Sequence, residues 1–119
     1  MSAGDYRSTF KLRFPSTGPG MSKYLLFTDS GSLMIEMEDY NRPYDERYTW
    51  LEPDDTCKFL EAVGEGARRP EFVDGQPSNE TRVLLRRLIT QFSSTDDLDR
   101  CWRIIGVHGQ SFAPSYSTD

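Results

Sequence analysis

The stretch KYLLFTDSGSLMIEME, Lys23 to Glu38, decides the fold. Its first half sets Tyr24, Leu25, Leu26 and Phe27 in a row, and a short continuous apolar run reads as a strand buried on both faces, hence a central strand over Lys23 to Thr28. Asp29-Ser30-Gly31-Ser32 follows. It is a tight hairpin signal, with Gly31 free to take positive φ. Leu33 to Glu38 then alternates: Leu33, Ile35 and Met37 point one way, Met34, Glu36 and Glu38 the other. Two antiparallel strands on one turn are therefore expected at the centre of a sheet.

Working outward, Tyr6 to Phe14 alternates Phe10, Leu12 and Phe14 against Thr9, Lys11 and Arg13, which predicts a half-buried strand ended by Pro15. Residues 16–20 are a loop by composition. On the other side, Asp39 to Glu46 is a polar loop holding Pro43, and Arg47 to Leu51 is a short fourth strand. Pro53 opens a helix, with Asp54 and Asp55 at the positive end of its dipole. Cys57, Phe59, Leu60, Ala62 and Val63 form its apolar face, and Gly64 and Gly66 end it. A short extended piece is expected at Phe72-Val73. Ser78 or Asn79 caps a second helix running to about Phe92, with Leu84, Leu85, Leu88, Ile89 and Phe92 as its stripe. Leu98, Cys101, Trp102 and Ile105 mark a third helix, stopped by Gly106. Val107 and His108 add a little strand, and Met1 to Asp5 and Phe112 to Asp119 read as loose ends. Strands first and helices after predict an α+β domain over residues 1–119: about four N-terminal antiparallel strands packed by two to three C-terminal helices.

Composition bounds the rest. Leu, Ile, Val and Phe make up 25 of 119 residues, just above the roughly 20% below which disorder becomes the better expectation. Seven Phe, six Tyr and two Trp supply the missing core area. No run approaches the ~20 apolar residues of a membrane span, and Met1 to Phe14 lacks the apolar segment of a secretory signal. A cytoplasmic protein with no membrane partner is expected. In that compartment Cys57 and Cys101 read as small thiols on apolar helix faces, with a disulfide between the two helices left open.

The charge is concentrated. Between Glu36 and Asp55 lie eight carboxylates against two arginines, Arg42 and Arg47, for a formal charge of −6, while the whole chain carries −5. Asp54 and Asp55 belong to a helix N-terminus, and Glu52 stands just before it. The candidate surface is therefore Glu36, Glu38, Asp39, Tyr40, Arg42, Tyr44, Asp45, Glu46, Tyr48 and Trp50. Glu36 and Glu38 share the strand face turned away from the helices, and Tyr48 and Trp50 share a face of the next strand, either outward or in the core. Clustered carboxylates steer cationic partners, and aromatics anchor them.

Other chemistries find little material. Neither Asp29-Ser30-Gly31-Ser32 nor Asp39 to Glu46 has EF-hand spacing. One histidine and two distant cysteines do not make a zinc site. Gly64-Glu65-Gly66 matches no phosphate loop. His108 follows a glycine stop and Cys101 sits in an apolar stripe, so no nucleophilic pair is expected. No cofactor is expected, and no small-molecule ligand can be named. Arg68, Arg69, Arg82, Arg86, Arg87, Arg100 and Arg103 fall in the helical half, which raises a second reading, an RNA- or phosphate-binding regulatory domain. Glu80, Asp96, Asp97 and Asp99 lie among them, and nucleic acid is the less favoured partner. A third reading, a small enzyme using paired carboxylates, has no spacing that selects an acid and a base.

A small, acidic chain poor in catalytic motifs, with the acid–aromatic segment Glu36 to Asp55, resembles the immunity proteins of bacterial toxin–immunity systems, including the contact-dependent inhibition type. The resemblance implies a non-enzymatic inhibitor that neutralises a basic, nuclease-like toxin by covering its active site. It transfers no residue by alignment. Its partner would be a basic protein meeting the ten residues above.

Overall fold

Apolar alternation in the N-terminal half and 3.6-residue periodicity in the C-terminal half build two layers, an antiparallel sheet and a set of helices. The computed structural model describes residues 10–41 and 43–114. In chain order the elements are β1 (Leu12–Arg13), β2 (Met21–Phe27), β3 (Leu33–Asp39), β4 (Asp45–Trp50), α1 (Pro53–Ala62), β5 (Phe72–Val73), β6 (Gln76–Pro77), α2 (Asn79–Gln91), α3 (Thr95–Ile105) and β7 (Gln110–Phe112). The main sheet runs β1-β2-β3-β4-β7, antiparallel throughout, and β5 and β6 form a separate small hairpin.

The β2–β3 hairpin is the spine. Leu25 pairs with Ile35 and Phe27 with Leu33, so the alternation in both strands turns one set of side chains to the helices. Gly31 closes the turn at φ +97°, and Thr28 and Ser32 bond across it. The main core joins Phe14, Leu25, Phe27, Leu33, Ile35 and Leu51 to Phe59 and Leu60 of α1, to Leu84, Leu85 and Leu88 of α2, and to Leu98 and Trp102 of α3. Each such buried side chain contributes roughly 1.5–3 kcal/mol. Phe59 sits between Phe92, at 5.8 Å, and Trp102, at 6.3 Å in an edge-to-face contact. Thr56 ties α1 to the sheet: its Oγ1 accepts from Leu33 N and donates to Leu51 O.

The helix boundaries follow their caps. Ser78 Oγ accepts from Thr81 N, Ser94 Oγ accepts from Asp97 N, and Gly106 ends α3 in the left-handed region. Arg87 forks onto Glu65 and binds the segment after α1 to α2. That guanidinium holds the Glu65 carboxyl below its usual range. No helix among the described residues is long and apolar enough to cross a membrane.

Several sequence expectations need correction. The four expected N-terminal strands and the three helices are present, as an α+β fold, and a fifth strand joins the sheet because the C-terminal segment returns to it: Tyr48 pairs with Phe112 and Trp50 with Gln110. The late strand is thus Gln110–Phe112 rather than Val107-His108, and the tail does not begin at Phe112. The first strand shrinks to Leu12–Arg13 within the described residues; Tyr6 to Thr9, like the expected loose ends at residues 1–5 and 115–119, lies outside them. β4 starts two residues before Arg47 and the loop preceding it is correspondingly shorter. On α1, Ala62 is exposed and buried Thr56 takes the inward place. Cys57 and Cys101 are free thiols, both half-buried.

Candidate protein-binding surface at the end of the third and fourth strands

The pleat divides the acid segment between two faces. On the side turned away from the helices, Met34 pairs with Trp50, Glu36 with Tyr48 and Glu38 with Glu46. On the helix side, Asp39 pairs with Asp45 at the end of the hairpin. The outer face is not the open surface that alternation suggests. Leu26, Met34 and Tyr48 form a second buried cluster there, with Trp50 packed against it. Glu36, Glu46 and Tyr48 are each 1% exposed.

These three residues are therefore withdrawn from any surface a partner could touch: the expectation of exposed Glu36 and Glu46 is corrected, and of the two places open to Tyr48 it takes the buried one. Each carboxylate has an internal role instead. Lys11 Nζ lies 2.6 Å from Glu36 Oε2 and 4.4 Å over the Tyr24 ring. Tyr48 donates its hydroxyl to Glu46 Oε1. Burying a carboxylate without such partners carries a large desolvation penalty. Trp50 is half-buried beside them.

Beyond this cluster the hairpin end is accessible. Tyr40 and Tyr44 are 56% and 41% exposed, with ring centroids 5.8 Å apart and planes tilted by 49°. Glu38, Asp39 and Asp45 are half-buried around them, and Arg42 lies outside the described residues. Local hydrogen bonds fix both ends of the loop. Asp39 Oδ1 accepts from the backbone N and side-chain Nδ2 of Asn41, and Tyr40 N donates to Gly20 O at 2.7 Å. Asp45 Oδ1 accepts from Glu46 N, and its other oxygen lies 3.5 Å from Arg47 Nη2. Tyr40 donates its hydroxyl to Glu38; this bond and the carboxylate's charge push the phenol up to about 12. The surface is thus two paired aromatic rings flanked by the carboxylates of Glu38, Asp39 and Asp45.

Sequence reasoning missed Lys11, because its link to Glu36 spans 25 residues and two strands. It also missed a cleft between α3 and the sheet, lined by charges of both signs. Strand parity carried a signal for that cleft: Lys23 and Arg47 share the helix-side face with Leu25, Ile35 and Met37. On the basic half, Arg68 and Arg87 meet Glu65, Arg100 meets Asp97 and Arg103 meets Asp99. Arg82 and Arg86 lie over the Phe10 ring. Burial pushes the Cys101 thiol up, the opposite of what a nucleophile needs. Among the described residues no group of three or more His, Cys, Asp and Glu is placed to hold a metal ion.

Comparison with protein-family models, with curated proteins and with solved structures gives no match.

Proposed function

We propose that this chain is a protein-binding inhibitor of the immunity type, which neutralises a basic, nuclease-like toxin by covering its active site. The observation that carries the reading is the exposed Tyr40–Tyr44 ring pair on a turn flanked by Glu38, Asp39 and Asp45. Two preordered aromatics offer large contact area at low entropic cost. Ordered carboxylates beside them suit Lys and Arg through charge-assisted hydrogen bonds, and the ring faces suit the same cations. Glu36, Glu46 and Tyr48 serve this surface from beneath, by fixing the strands that carry it. An RNA-binding reading has less support, since most arginines of the helical half are already paired with acids or stacked on Phe10.

Co-purification from the native host tests the proposal. A tagged chain is expected to retain a basic protein at low salt and to release it as salt rises. The combined Glu38→Gln, Asp39→Asn and Asp45→Asn variant is expected to bind more weakly and with a shallower salt dependence. Unchanged affinity and salt dependence would overturn the assignment of this surface.

A further inference from the structure

Near the N-terminal end of α3, helix and sheet part to leave a cleft of about 240 Å3. Its sheet wall is two register rows, Lys23 of β2, Met37 of β3 and Arg47 of β4 in one, and Ile35 of β3 and Thr49 of β4 in the next. Its helix wall carries Asp96, Asp99 and Trp102. The face of a sheet beneath helices is normally apolar, and one row further in Leu25 and Ile35 keep that pattern while Thr49 adds a hydroxyl to the cleft. The two cations, Lys23 and Arg47, are out of pattern.

The charges do not cancel across the gap. Lys23 Nζ donates to the Thr95 hydroxyl at 3.0 Å rather than to a carboxylate. The ion pair of Arg47 is with Asp45 on its own strand, and that of Asp99 is with Arg103 on its own helix. Asp96 makes no ion pair among the described residues. Trp102 is 3% exposed, and its Nε1 is buried without a hydrogen-bond partner. The cleft thus presents a positive wall, a negative wall and an apolar indole and thioether between them.

We propose that this cleft binds a small zwitterion, an α-amino acid with an apolar side chain. The carboxylate lies toward Lys23 and Arg47, the ammonium toward Asp96 and Asp99, and the side chain against Met37 and Trp102. A phosphate or simple carboxylate would leave two aspartates opposed to it, and a polyamine would leave two cations opposed. The volume falls below the roughly 300–1,000 Å3 of pockets for drug-sized ligands and suits an amino acid. This site is separate from the tyrosine pair and stands without the inhibitor reading.

The test is two-dimensional NMR on the 15N-labelled full chain, following the Trp102 indole N–H, which a Trp50→Phe variant assigns. Each of the twenty standard α-amino acids is titrated. At least one apolar amino acid is expected to shift the resonance saturably. Its N-acetyl and its amide derivatives are each expected to bind about tenfold or more weakly, as loss of one charge-assisted hydrogen bond requires. Asp96→Asn, at an exposed position that should not disturb folding, is expected to weaken binding similarly. If no amino acid moves the resonance saturably, the proposal fails. It fails equally if the N-acetyl derivative binds as tightly as its parent, because the acidic wall then plays no part.

Discussion

Lys11 and Glu36 form an ion pair, Nζ to Oε2 at 2.6 Å, on the sheet face turned away from the helices, and only the lysine reaches solvent. Glu36 Oε1 is buried with no hydrogen-bond partner. Lys11 is therefore the group that makes a buried carboxylate tolerable. Lys11→Met is expected to destabilise the chain by about 3 kcal/mol, the low end for a broken buried pair, because Lys11 keeps a fifth of its side chain in water. Lys11→Met with Glu36→Leu is expected to recover most of that loss. Urea unfolding of the three chains measures both, and equal destabilisation of the single and double variants would contradict the pairing.

Phe59 is the meeting point of α1, the end of α2 and α3. It is fully buried, with Phe92 and Trp102 against its ring. Phe59→Ala is expected to lower stability by about 3–5 kcal/mol, read as a fall in the denaturant midpoint. Phe59→Leu is expected to lower it by less.

Gly109 is needed for space rather than for backbone conformation. Its φ is not in the left-handed region, yet a Cβ there would stand 2.9 Å from Thr49 Cγ2 and 3.1 Å from Trp102 Cζ3. Gly109→Ala is expected to cost about 1–3 kcal/mol through overpacking. It should also increase amide exchange in β7, which this residue leads into the sheet. Loss of stability without change in β7 exchange would place the strain elsewhere.

The Tyr40 phenol gives a pH signature. Its pKa is pushed up to about 12, first by the hydrogen bond to Glu38. Because the folded value lies above the unfolded one, the neutral phenol favours folding. That contribution is complete below about pH 10 and is lost as pH rises toward 12. The site is exposed, so its effect on stability is small. Absorbance near 295 nm is expected to show one tyrosine titrating late, and Glu38→Gln should return it toward 10.

Local pattern made most of the fold legible. The β2–β3 alternation, the Ser78 cap and the Leu98-Cys101-Trp102-Ile105 period each carry their own structure in sequence. β7 did not, because Gln110–Phe112 is too short for any period and becomes a strand only by pairing with β4. The acid segment was half legible. Alternation correctly put Glu36 and Glu38 on the face away from the helices, but whether that face is covered is a tertiary property. Tyr48 and Leu26, far apart in sequence, build a second cluster there, and Glu36 is drawn into it by Lys11. Tyr40 and Tyr44 stayed readable because they stand at the end of the hairpin, where both rings remain exposed.

The most direct measurement is the affinity of the captured basic partner for the wild-type chain and for the Tyr40→Ala/Tyr44→Ala variant, at matched salt and with the fold checked by circular dichroism. Loss of two central aromatics is expected to weaken binding by about 2 kcal/mol or more, roughly thirtyfold. Equal affinity of the two chains, or the absence of any basic partner from both, would contradict the protein-binding reading of this surface.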